Sequence, residues 1–165
     1  MIVKRTLGIT MSEARITEQL RLRLDEAEFV YQHLPKTLER ARRSSTGEQW
    51  RIFFRDQASA LRIQREALRA TSEWWGMRTR PCFDADVERQ LNEARHAVTD
   101  RRAKPAMEKT VRAALDALRQ RIMVDLEEAV QLALNIREHD LAHRLRTLLN
   151  DERSQQLVPH AIPSS

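Results

Sequence analysis

Residues 16–41 read ITEQLRLRLDEAEFVYQHLPKTLERA, and this stretch decides the fold class. Its apolar positions are Ile16, Leu20, Leu24, Ala27, Tyr31, Leu34, Leu38 and Ala41. The steps alternate between three and four residues, the spacing that holds one face of an α-helix inward for seven turns. Pro35 falls inside the pattern. Because the stripe continues past it, the spacing predicts a kinked helix rather than a broken one. Ser12 is the expected N-cap. Ser44-Ser45-Thr46-Gly47 is the first clear break, and Thr46 with Gln49 three residues on has the form of a capping box.

The rest of the chain repeats the helical theme. Trp50, Phe54, Ala58, Leu61, Leu68 and Trp75 share one face of a second helix that ends at Gly76. Ile52, Ile63, Ala70 and Trp74 fall on nearly the opposite face, so this helix is expected to be sandwiched or to meet a second subunit. Asp84 is the expected cap of a shorter helix over 85–102. Pro105 restarts the chain at a helical first turn, opening a long fourth helix through Val111, Leu115, Leu118, Ile122, Ala129, Leu132 and Ile136. A break at Glu138-His139-Asp140 leads to a fifth helix carrying Leu141, Leu145, Leu148 and Leu149. Residues 1–11 are read as an N-terminal tail, 12–157 as one helical bundle and 158–165 as a disordered C-terminal tail.

Composition agrees with an all-α domain. The 165 residues contain three Gly and five Pro, too little turn material for an all-β or parallel α/β fold. The net charge is +5, and acidic groups interleave with the basic ones, as on a solvated helical surface. A single cysteine, Cys82, excludes a disulfide framework and a thiolate metal cluster. No apolar run has the length of a membrane span, so a cytoplasmic protein without membrane attachment is expected.

Ionisable residues inside the apolar stripes are the candidate functional groups. Arg65 lies between Leu61 and Leu68, Asp125 between Ile122 and Ala129, Glu152 continues the leucine line of the fifth helix, and Glu28 borders the first stripe. A buried charge requires a partner. The plainer expectation is an internal ion pair of Arg65 with Asp125 or Glu152. The sharper one is a carboxylate-bridged Fe or Mn site from Glu28, Asp56, Asp125 and Glu152. Glu93-Ala94-Arg95-His96 is a single Glu-x-x-His, where a di-iron centre wants two. His139 and His143, and the pair Trp74-Trp75, read as solvent-facing and end-plugging groups. Arg78, Arg80, Arg101, Arg102 and Lys104 offer phosphate contacts, but no recognition helix or aromatic platform accompanies them.

The order of segments resembles the YciE/YciF family of ferritin-like bacterial stress proteins. The resemblance rests on Leu34-Pro35-Lys36-Thr37-Leu38 in the first helix, on Cys82 followed by Val87-Glu88-Arg89-Gln90-Leu91-Asn92-Glu93-Ala94 in the crossover, and on Leu149-Asn150-Asp151-Glu152-Arg153 in the last helix. It implies a ferritin-like four-helix bundle with an additional short helix in the crossover, a homodimer and a stress-related role. At the family's metal-ligand positions this chain has Ala27 flanked by Glu26 and Glu28, Asp56-Gln57 followed by Leu61, and Arg119-Gln120-Arg121-Ile122; Glu152 alone is retained.

The expected function is therefore that of a non-catalytic structural or protein-interaction bundle without cofactor, dimerising through Ile52, Ile63, Ala70 and Trp74. The alternatives are a divergent di-iron or manganese carboxylate oxidoreductase or metal-binding protein, and a basic adaptor for nucleic acid or an acidic protein partner.

Overall fold

The computed structural model describes residues 11–80, 82, 84–100 and 104–157. Five helices follow in order: α1 (Met11–Ser44), α2 (Glu48–Trp74), α3 (Ala85–Thr99), α4 (Lys104–Asn135) and α5 (His139–Leu157). No strand occurs among the described residues. The N-terminal tail residues 1–10 and the C-terminal residues 158–165 lie outside the described residues, as do Arg101 and Arg102.

The long stripe of α1 is buried from Leu20 to Ala41, and the helix runs through Pro35 without interruption. Its helical bonding already includes Met11, so Ser12 lies inside the helix and not at its cap. The tight link at 45–47 turns the chain back into α2. There the cap is Gly47, extended at φ −85° and ψ 133° with no side-chain capping bond, rather than Thr46. Burial raises the Glu108 carboxyl of α4, and the Thr46 backbone N–H beside it opposes the rise.

Helix α2 ends in a paired closure. The Met77 N–H reaches the Ser72 carbonyl at 2.8 Å and the Gly76 N–H reaches Glu73 at 2.9 Å. Gly76 supplies the left-handed φ of 83° that this Schellman geometry demands. The same closure ends α4, with Glu138 N–H to Ala133 at 2.9 Å and Arg137 N–H to Leu134 at 3.0 Å. Here Arg137 adopts φ 58°, so the break lies at Ile136–Glu138 and α5 has begun by His139. Asp84 caps α3 as expected, accepting from the Asp86 and Val87 N–H groups. That helix stops at Thr99, short of residue 102.

Ion pairs fix the direction of the helices. Arg23 reaches Glu128 and Arg121 reaches Glu26, so α1 and α4 run antiparallel. Short hairpins make α1–α2 and α4–α5 antiparallel as well. Helices α2 and α4 are thus parallel, so the connection between them returns along the bundle. Helix α3 lies in this crossover and packs Val87, Leu91 and Ala94 on α1 and α4. The result is an all-α four-helix bundle with a fifth helix in its single long crossover. No helix among the described residues is long and apolar enough to cross a membrane.

Candidate functional site: a salt-bridged polar centre

One level of the core, where the four bundle helices meet, is polar. Arg119 from α4 lies there with its side chain 3% exposed. Its Nη1 donates to Glu152 Oε2 of α5 at 2.8 Å, and its Nε donates to Gln57 Oε1 of α2 at 3.0 Å. A longer bond from Nη1 to Gln64 Oε1, at 3.4 Å, adds a second α2 contact. Tyr31 of α1 donates its hydroxyl to the other oxygen of Glu152 at 2.6 Å. Each helix of the bundle contributes to one hydrogen-bonded unit, and both charges are neutralised inside it.

Electrostatics within this unit are consistent. Burial pushes the Tyr31 hydroxyl well above its ordinary value, and the Glu152 charge adds to the rise. Tyr31 is therefore a fixed donor. Glu152, fully buried, has the Arg119 guanidinium and the Tyr31 hydroxyl on its two oxygens. A fully buried ion pair is sustained only when its remaining polar atoms also find partners, and Gln57 and Gln64 supply most of them. The Nη2 nitrogen of Arg119 has no acceptor among the described residues.

A second cluster lies along α1 and α4. Asp125 is 1% exposed, and neither of its oxygens has a donor within hydrogen-bonding distance. Arg121 Nε and Arg23 Nη1 stand 3.6 and 3.8 Å away, beyond hydrogen-bond reach. Both guanidiniums are engaged by other acids: Arg23 by Glu128 at 2.6 Å and Glu26 at 3.2 Å, and Arg121 by Asp84 at 3.1 Å and Glu26 at 3.2 Å. The Asp125 carboxyl is pushed up to about 8, first by burial and then by the Glu26 carboxyl beside it. The rise favours the protonated form, in which a proton is shared with Glu26.

The expected ion pairs are rearranged. Arg65 does not meet Asp125 or Glu152; its Nε donates to Glu28 Oε1 at 2.8 Å, at the α1–α2 boundary. Burial raises the Glu28 carboxyl, with Arg65 opposing the rise. The helical wheel placed Arg65 inward because its stem follows the stripe, but the head reaches the bundle surface with 28% of the side chain exposed.

The four oxygens offered as metal ligands are not brought together. Asp56 points outward at 54% side-chain exposure and pairs with Arg55 at 3.1 Å. Glu28, Asp125 and Glu152 are buried, but each faces a different arginine environment. No group of three or more His, Cys, Asp or Glu among the described residues has metal-binding geometry. The chemistry of the centre argues the same way. A guanidinium beside two neutral carboxamides and one carboxylate repels a divalent cation. The metal implied by the family resemblance does not fit these residues.

Elsewhere, Glu93 pairs with Arg89 on the exposed side of α3, and His96, His139 and His143 are exposed. Arg80 uses its backbone N–H to bind Asp25 at 2.8 Å. Of the interface candidates, Ile52, Ile63 and Trp74 are 41%, 68% and 46% exposed, and Ala70 is exposed beside them. The Arg144 guanidinium of α5 lies 4.0 Å over the Trp74 ring. Trp75 packs on the core.

Sequence reasoning missed Arg119 and Tyr31 as the partners of Glu152, and Gln57 and Gln64 as the further acceptors of Arg119. The signal was present: Gln57 and Gln64 flank Leu61 on the inward face, and Arg119 lies next to Leu118 and three residues before Ile122. Surface clefts are peripheral to this centre. One of about 430 Å³ is walled by Gln19, Arg23, Glu128 and Leu132, and another of about 460 Å³ by Gln131, Arg146 and Arg153.

No family model matches the chain, and no curated protein matches it. Among solved structures it is similar to "YcfI, a putative structural protein from Rhodopseudomonas palustris". The TM-score is 0.75 at 15% sequence identity, covering 95% of this chain and 98% of that one. At that identity the likeness shows the fold alone.

Proposed function

We propose that this chain is a non-catalytic helical bundle of ferritin-like descent, related to the YciE/YciF stress proteins, that works in the cytoplasm as a structural or protein-interaction module and associates with itself. The observation that carries the reading is the Arg119 guanidinium, 3% exposed and bonded to Glu152, Gln57 and Gln64 where the four bundle helices meet. The path of the chain, two hairpins joined by one long crossover, is the connectivity of ferritin-like folds. In such folds a metal centre requires several anionic ligands facing one another. Here a fixed positive charge takes that place, and it performs the cross-linking that metal ligation would otherwise provide.

The description of YcfI as a structural protein is compatible with this reading. Elemental analysis tests it directly, on protein purified without a metal-affinity tag from iron- and manganese-supplemented cells. Metal far below one ion per chain, in a cooperatively folded protein, is the expected result. One or two ions of Fe or Mn per chain would overturn the reading in favour of the metal-dependent oxidoreductase.

A further inference from the structure

The outward row of α2 has a symmetry that the self-association reading does not require. Ile63 stands at its middle, with Ile52 eleven residues before it and Trp74 eleven residues after. Eleven residues make three turns to within about 20°, so the three large side chains share one line roughly 33 Å long. All three are exposed, and Ile63 most of all at 68%. Ser59 and Ala70, both small and exposed, lie between them and leave room for another backbone to approach.

We propose that α2 pairs antiparallel with α2 of a second copy of this chain, about a two-fold axis at Ile63. This rests on the self-association reading and specifies its geometry. The two-fold places Ile63 against its own copy and Ile52 of each chain against Trp74 of the other. Such a contact is isologous and closes as a dimer. The Arg144 guanidinium over Trp74 holds the indole in place for its partner.

The charges beside the row choose the direction. Arg55, Arg62, Glu66 and Glu73 occupy one flank and are exposed. Arg62 and Glu66 are centred on residue 64, one position from the axis, as are Arg55 and Glu73, and the lean of helical side chains toward their own N-terminus closes that offset. In an antiparallel pair like flanks meet, so each arginine faces a glutamate of the other copy, making four cross-pairs. In a parallel pair this flank would instead meet the opposite one, where Ala60 and Ala67 offer no charge; Asp56, five turns before Trp74, lies on the row itself and shares Arg55 with the cross-pair. Complementary flanks of this kind set orientation more than affinity.

Sedimentation equilibrium on the full chain, up to ~50 µM, reads the association. The wild type is expected to be a dimer, and Ile63→Glu a monomer with unchanged helical circular dichroism. Arg62→Glu is expected to weaken the dimer about tenfold, since the two-fold counts each like-charge contact twice. Arg62→Glu/Glu66→Arg is expected to recover it. In a Cys82→Ser background, Ile63→Cys should form an interchain disulfide on mild oxidation, because its two copies meet at the axis. A monomeric wild type overturns self-association itself. A dimer that survives Ile63→Glu, or that gives no Ile63→Cys cross-link, overturns the α2 geometry and leaves self-association standing on another surface.

Discussion

At the residue scale Asp125 of α4 and Glu152 of α5, the most deeply buried acids of the two helices, differ in what their neighbours donate. Glu152 receives a guanidinium and a hydroxyl, whereas Asp125 faces another carboxyl. Glu152→Ala should therefore destabilise the fold by about 3–5 kcal/mol in urea unfolding, by leaving Arg119 buried without its counter-charge. Replacing both Arg119 and Glu152 with Leu should be less damaging than that single change. Equal damage would count against the pair as the origin of the loss. Asp125 makes stability depend on pH. Its folded pKa of about 8 lies above the unfolded value of 3.8, so the native state holds the proton more tightly. Stability from this group is complete below about pH 4 and declines as pH rises towards 8, where Asp125 ionises beside Glu26. Asp125→Asn should flatten the pH dependence of unfolding between pH 5 and 9; a parallel, unflattened profile would remove the carboxyl pair as its cause.

At the element scale the helix ends show how local chemistry and tertiary demand divide the work. The break after α2 is legible because Gly76 accepts a left-handed φ without strain. The equivalent closure after α4 is built on Arg137, which a sequence pattern does not flag, and the expected break near Glu138 is accordingly centred one to two residues late. Arg137→Gly should stabilise the fold by about 1 kcal/mol, the order of the penalty for a side chain in that region. A loss of stability would show that unfolded-state entropy outweighs the relieved strain. Asp84 combines two roles, capping α3 and binding Arg121 at 3.1 Å. Asp84→Ala should cost about 0.5–2 kcal/mol for the cap, measured by thermal or urea unfolding. Asp84→Ser should recover most of the cap and none of the ion pair.

At the scale of the whole molecule, one crossover decides which helices face each other. Because α2 and α4 run parallel on opposite sides of the bundle, Gln57 and Gln64 look across at Arg119. Tyr31 comes to Glu152 by the same geometry, from 121 residues away in the chain. The polar level then binds four helices that short loops alone would leave as two hairpins. Its bonds span up to 121 residues, so slowest amide exchange is expected at Tyr31, Leu61, Leu118 and Leu149, around this level. Faster exchange there than at the apolar ends would mean the centre does not hold the bundle together.

The sequence by itself determined the helices, their buried faces and the outward row of α2, because those follow from a period of 3.6 residues and need no knowledge of neighbours. It also determined that Glu152, Asp125 and Glu28 border or enter the apolar stripes. Only the tertiary structure decided their partners. A wheel gives the angle of a side chain on its own helix but neither the level of the facing helix nor the reach of an arginine. Arg65 therefore left the interior for Glu28, and Arg119, one residue off the leucine stripe, took the centre. That this centre offers no metal-binding donor set follows from one long cation in a shared space, a property of four helices together and of none alone.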